Sequence, residues 1–387
     1  MDIFFTILVT TFLYWILVVT IKNKTKFTGA FIPWTIFIVH HLMTLGYFAF
    51  TANSSSDSYK YYRVSSKSDT WLNLYDTGTQ FVSFLCWPFS HGIGLSYYAT
   101  MYLFSFFGLI GVFLFYMAGK EQIKSHPIVF LGIGFLDVAF ILPNLHFWTS
   151  SLGKGSLMTL GLGLTFWGLS KFNKRYIQLF IGLFLTFSIR PHIFISVVVS
   201  ILVGFVFTSA VIKNYIKLGV IFISLVLIYF TNDVVTEYAN VDSLNILDES
   251  STSDLHHRVE SLQRAKSGVD INNYSLPMKL FTFWFRPLFI DSSGLFSMLS
   301  SIENVFYLFM FYTVIRYGIK YWSLWNGWFK ICIFQFLFSS VALAQITGNL
   351  GLAMRQKSQL MPLLFIVFCL AISYSRKYNT QQRVKNL

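Results

Sequence analysis

The feature that most constrains this chain is the repetition of its apolar runs. Most are about 17 to 23 residues long, the length needed at about 1.5 Å per residue to cross a hydrocarbon layer roughly 30 Å thick. Short basic clusters separate them. The 387 residues are 55% hydrophobic and 12% charged, whereas a soluble domain carries roughly 25% charged residues, so no water-soluble core could hide this apolar surface. Inside lipid every backbone polar group needs an internal partner, which selects the helix for runs of this length. The expected fold is all-α: a polytopic helical integral membrane protein of about eleven transmembrane helices, organised as a single transmembrane domain over residues 1–387.

Spans are expected near 2–21, 31–50, 97–118, 127–145, 155–170, 176–189, 193–212, 215–231, 293–315, 327–346 and 359–375. The first has no basic residue before it and Lys22, Lys24 and Lys26 after it, the reverse of a secretory signal peptide. With the N-terminus outside and the C-terminus cytoplasmic, the cytoplasmic segments hold seventeen Lys and Arg against the single acid Glu121, while the outer loops hold twelve basic and twelve acidic residues. That asymmetry follows the positive-inside rule, and shifting the frame by one span destroys it. The net charge of +13 therefore reports topology; with no basic stripe or tail, no nucleic-acid partner is expected. Cys86, Cys332 and Cys369 lie in or beside apolar segments without metal-ligand spacing, and read as core residues.

Departures from a simple up-and-down pattern collect outside. The outer loop 51–96 starts polar and continues as the semi-apolar stretch Phe81–Leu95, broken by Pro88, His91, Gly92 and Gly94. It is expected to be re-entrant or interfacial. Residues 176–189 make only roughly 21 Å of helix before Arg190-Pro191-His192. The outer loop 232–285 is long and hydrophilic, and its His256-His257 pair is too little for a metal site.

Charged groups at membrane depth are costly, which makes each a functional candidate by default. Asp137 and Glu303 are two such groups, at similar expected depth from the outer side, so that one cavity could receive both; helix packing is the plainer role for each. Around the outer mouth gather Lys154, Arg190, Arg286, Arg355 and Lys357. A guanidinium forms paired charge-assisted bonds to phosphate oxygens, so such a ring suits a phosphate or pyrophosphate; any one of them could equally snorkel to lipid headgroups. His91, His146 and His192 lie towards the same face, and Trp71, Trp87 and Trp148 are of a type that stacks on sugar rings or belts a membrane interface. In Ser56-Asp57-Ser58-Tyr59-Lys60-Tyr61-Tyr62 a carboxylate stands among aromatic and basic residues just after a span. An acid there can act as general base on a sugar hydroxyl; an ordinary solvated loop acid has the same sequence. Asp69 and Asp76 are alternatives.

Several of these segments taken together resemble a family. The Asp57-Ser58-Tyr59 and Tyr61-Tyr62 pairings, Pro143-Asn144-Leu145-His146-Phe147-Trp148 followed by Ser150-Ser151-Leu152-Gly153-Lys154, Arg190-Pro191-His192, Phe285-Arg286-Pro287 with Ser301-Ile302-Glu303-Asn304, and the stretch from Asn349 to Pro362 containing Arg355 resemble bacterial membrane glycosyltransferases and polysaccharide polymerases of the GT-C-like, O-antigen and exopolysaccharide type. The resemblance implies an enzyme of the bacterial inner membrane that uses a polyprenyl-linked sugar donor and a glycan acceptor on the outer face. It implies Asp57 as base and Arg190, Arg286 and Arg355 as holders of the lipid pyrophosphate. In many GT-C enzymes the acidic loop follows the first span; here it follows the second. Lys154, His192, Glu303 and Lys357 complete the candidate substrate-binding set. No metal site or cofactor is implied, and a need for a divalent metal stays open. The rival functions are a flippase or transporter of lipid-linked oligosaccharide, for which His40, His41, Gln335 and Gln345 supply polar groups, and a non-catalytic subunit of an envelope polysaccharide assembly complex.

Overall fold

The computed structural model describes residues 1–25, 31–52, 56–130, 132–209, 212–213, 215–216, 219–220, 222–223, 268–269, 271, 273–291 and 294–385. Apart from one small hairpin its regular elements are helices, and seven of the described helices are long and apolar enough to cross a membrane. Most of the expected span 215–231, most of the long outer loop and His256-His257 lie outside the described residues. The chain divides into two compact units, Met1–Gln122 with Asp137–Pro191, and Ile123–Leu136 with His192–Leu387.

The first unit holds α1 (Asp2–Thr25), α2 (Phe31–Ala52), α3 (Asp57–Lys67), α4 (Thr79–Trp87) and α5 (Tyr97–Gln122). Helix α6 (Phe135–Ala139) crosses the division, and α7 (Pro143–Thr149), α8 (Lys154–Ser170) and α9 (Phe172–Ile189) complete the unit. Three of the seven, α1, α2 and α5, are here. Helix α5 is apolar all round and buried over most of its length, which makes it the axis of the unit.

Small residues bring its neighbours close. A Cβ placed on Gly111 of α5 would strike the Thr159 backbone of α8, and one placed on Gly163 of α8 would lie 2.5 Å from the Gly111 carbonyl oxygen. On the other side of α8, a Cβ on Gly182 of α9 would sit 2.5 Å from the Thr165 nitrogen. Where lipid supplies no hydrophobic drive between helices, such backbone-to-backbone approach maximises dispersion. The α8–α9 turn is fastened to the end of α5 by Glu121, which receives Lys171 and Arg175, each at 2.8 Å, while Arg175 stacks over Trp167 at 3.9 Å.

Residues 127–145, read from sequence as one span, do not form a continuous helix. Strands β1 (Ile128–Phe130) and β2 (Ile133–Gly134) pair antiparallel across Gly132, whose φ of +80° suits glycine, and two short helices follow. Pro127 and Pro143 bracket the segment and break helical continuity at both ends. The expected spans 155–170 and 176–189 are helical as α8 and α9 but do not count among the seven.

The second unit contains the hairpin and α10 (Pro191–Thr208), followed by α11 (Leu276–Phe285), α12 (Leu295–Tyr321), α13 (Gly327–Ile346), α14 (Leu350–Lys357) and α15 (Met361–Lys385). Helices α10, α12, α13 and α15 are the other four of the seven. Leu363 to Cys369 of α15 form the centre of its core. Between α10 and α13, Ser196 meets Ser339 at 2.8 Å and Gln335 donates to Ser339 at 2.7 Å, so the polar groups of these apolar helices satisfy one another. Gln335, a polar residue the transporter reading could use, is thereby tied to packing. The three cysteines are buried and free.

Candidate functional site

Helix α3 is built to present one face. Ser56 caps it by accepting from the Ser58 N–H at 3.3 Å, and Asp57 opens the first turn, where the helix dipole favours an acid. Ser58, Tyr61 and Ser65, spaced three and four apart, are buried; Asp57, Tyr59, Lys60 and Arg63 are exposed. The buried face is pinned by hydrogen bonds: Ser65 meets Ser90 at 2.8 Å, Ser58 meets Tyr97 at 2.6 Å, and Tyr62 donates to the Leu95 carbonyl at 2.9 Å. These contacts fix α3 beside the start of α5.

Between the end of α2, α3 and the start of α5 opens a pocket of about 660 Å³. Thr51 and Ala52 line it from α2, Ser56, Tyr59, Lys60 and Arg63 from α3 and its cap, and Tyr97 and Tyr98 from α5. The Asp2 carboxylate at the start of α1 accepts from the Ser96 N–H at 2.8 Å. The start of α1, the end of α2 and the start of α5 thus share one end of the unit, and the pocket lies at the level where these apolar helices stop.

Asp57 immediately precedes the lining turn. Lys60 was legible as part of the Asp57 segment, but Arg63, Tyr97 and Tyr98 were not singled out from sequence. The signal available was the three-residue spacing of Lys60 and Arg63, together with two tyrosines opening an apolar run.

The cations expected to ring an outer mouth are divided between the two units. Lys154 begins α8 and is buried in the first unit, as is Arg190, whose backbone N–H bonds the Thr186 carbonyl at 2.9 Å at the α9 terminus. His192 is half-buried and belongs to the second unit. In that unit Arg286, Glu303 and Lys357 converge on one internal cluster. The Lys357 ammonium donates to the Asn304 Oδ1 at 2.7 Å and to the Trp284 and Arg286 carbonyls, each at 3.1 Å. It lies 5.8 Å from the Tyr307 ring centroid, and Tyr307 donates to Glu303 at 2.9 Å. Burial pushes Lys357 down to about 7, and the charge of Glu303 opposes that shift. Arg355, on α14, is half-buried.

Arg286 forms a two-bond pair with Asp291, at 3.0 and 2.5 Å. The guanidinium holds the Asp291 carboxyl below its ordinary value. The pair therefore contributes stability that is complete above the ordinary carboxylate range near about 4 and is lost as pH falls through the depressed folded value. In detergent, melting temperature measured between pH 6 and pH 2 should fall more steeply for the wild type than for Asp291→Asn; parallel curves would remove the pair from the acid response.

The membrane-depth acids are also engaged. Asp137 receives Lys120 at 2.8 Å and Tyr116 at 2.9 Å in the first unit, and Glu303 receives Tyr307 in the second. His146, read as an outer-face residue, is fully buried: its Nδ1 lies 3.1 Å from that of His40, and its Nε2 lies 2.8 Å from the Phe140 carbonyl. Trp71 and Trp87 stack on one another at 5.9 Å, and Trp87 stacks on His91 at 4.8 Å, so their ring faces serve the α4 region. Trp148 donates to Asn144 at 2.9 Å.

No family model, curated protein or solved structure matches this chain. The functional reading rests on the residues and their arrangement.

Proposed function

We propose that the chain is a membrane glycosyltransferase or polysaccharide polymerase that uses a polyprenyl-(pyro)phosphate-linked sugar donor on the outer face of a bacterial inner membrane. The observation that carries this reading is the pocket at the ends of α1, α2 and α5, with an exposed carboxylate, Asp57, on the turn that leads into its lining. In the proposed reaction Asp57 takes the proton of an acceptor hydroxyl, whose oxygen attacks the anomeric carbon of the donor. The bond from that carbon to the phosphate oxygen breaks, and the lipid (pyro)phosphate departs with its electron pair. Tyr59, Tyr97 and Tyr98 offer aromatic surface for sugar rings.

The proposal includes the topology of about eleven spans with the N-terminus outside, supported by the charge asymmetry of the loops. In that frame the pocket is external. Arg190, His192 and Arg355 remain the proposed outer contacts for donor or acceptor.

Purified protein in liposomes carrying a polyprenyl-pyrophosphate oligosaccharide should transfer or lengthen the glycan. Asp57→Asn should slow turnover by about 10²- to 10⁴-fold, the usual contribution of a general base, while remaining folded with at most a small drop in melting temperature. Full activity of Asp57→Asn would sink its role. A second reading, translocation of lipid-linked oligosaccharide, draws on the polar chain from Thr44 through Ser105 and His40 to His146 inside the first unit. Movement of the lipid between leaflets without glycan change would select it.

A further inference from the structure

The cations of the first unit differ in what they touch. Lys120 is held by Asp137, and Lys171 and Arg175 by Glu121. Lys60 and Arg63 have no carboxylate partner among the described residues, although both are exposed and stand one helical turn apart on the wall of the pocket. No acid is among the residues that line it, Asp57 standing on the turn that leads into that lining. Two positive charges about a turn apart and outside any ion pair favour a ligand that brings negative charge.

The other lining groups refine that ligand. Ser56, Thr51 and the tyrosine hydroxyls are neutral hydrogen-bonding groups suited to a polyoxygenated anion. A guanidinium paired with an ammonium is a common way to grip phosphate oxygens. The volume of about 660 Å³ falls within the roughly 300–1,000 Å³ of small-molecule sites, leaving room for a headgroup beyond the phosphate. The pocket also lies where three apolar helices end, the depth at which a lipid carries its phosphate.

We propose that Lys60 and Arg63 form a phosphate-ester site in this pocket, and that the ester is borne by a lipid. Identifying that lipid with the glycosyl donor rests on the transfer reaction proposed above; the phosphate site itself does not.

The test is binding to protein in neutral phosphatidylcholine nanodiscs, titrated with a short-chain polyprenyl phosphate, with phosphatidylglycerol and with inorganic phosphate. The wild type should bind the polyprenyl phosphate saturably, and Lys60→Ala and Arg63→Ala should each weaken it about tenfold, as expected for loss of one charge-assisted contact. Lys67→Ala, on the same helix outside the pocket lining, should leave it unchanged. Unaltered binding in the Lys60 and Arg63 variants, or equal weakening by Lys67→Ala, would overturn the site. Inorganic phosphate competing at equal concentration would overturn the lipid as its bearer, whereas competition by phosphatidylglycerol alone would make the ligand a bulk phospholipid and not the donor. Lipid binding that depends on Lys60 and Arg63 without any glycan transfer would leave this site standing and reject the transfer reaction.

Discussion

Lys357→Met is expected to abolish most of the folded protein recovered from membranes. Methionine matches the reach of the lysine stem and its apolar volume, so packing is nearly conserved and the change isolates the ammonium. That ammonium is fully buried and is the donor for three acceptors: the Asn304 side chain and the Trp284 and Arg286 carbonyls. These come from the C-terminal end of α11, the turn beyond it and α12, while Lys357 itself ends α14. One side chain therefore ties three helices of the second unit. Leaving a buried acceptor unpaired costs about 1–3 kcal/mol; the Asn304 contact is buried and the two carbonyl contacts partly so, and even after the relieved burial of the ammonium the loss is a sizeable part of the roughly 5–15 kcal/mol that typically separates folded from unfolded domains. Thermal unfolding in detergent, followed by limited proteolysis, would show the loss. A variant that melts with the wild type would mean that Lys357 does not hold these helices together.

The same cluster shows what the sequence could and could not convey. From sequence, Glu303 stands out as a charge at membrane depth, and Arg286 and Lys357 as cations of an outer mouth. Their spacing along the chain carried no information on whether they face a ligand or one another. Tertiary packing decides that, and in this unit Lys357 turns to backbone carbonyls and Arg286 turns to Asp291.

The long helices followed readily from hydropathy because length and apolarity are local properties: α1, α2, α5, α10, α12, α13 and α15 all fall on expected spans. Mean hydropathy does not distinguish a helix from an apolar hairpin, so the expected span 127–145 gives way to a hairpin turned at Gly132 and bracketed by prolines. At the candidate site Asp57 stands out from its aromatic setting, whereas Tyr97 and Tyr98 are only the first residues of the expected span 97–118. Contacts distant in sequence bring them to α3: Ser58 bonds the Tyr97 hydroxyl, and the Tyr59 and Tyr62 rings pack edge-on against Tyr97.

Gly111→Leu should strongly destabilise the first unit. Gly111 sits where α5 and α8 meet backbone to backbone: a Cβ there would overlap the Thr159 carbonyl, and Gly163 approaches from the other helix just as closely. A leucine cannot be absorbed by a rotamer change, because the clash begins at Cβ, before any rotatable bond. The helices must separate, and every dispersion contact along the interface weakens together. Overpacking of a well-filled core costs typically 1–3 kcal/mol; with backbone as the obstacle on both sides, about 3 kcal/mol is the expected minimum. Gly46→Leu is the matched control, since nothing lies within 4 Å of a Cβ at that position of α2. Melting temperature should drop sharply for the first variant and stay near wild type for the second. The effect should reach the pocket, because α5 carries Tyr97 and Tyr98 at its start: lipid binding should weaken in Gly111→Leu even at temperatures where the protein remains helical. If both variants melt alike, the close α5–α8 contact does not set the stability of this unit.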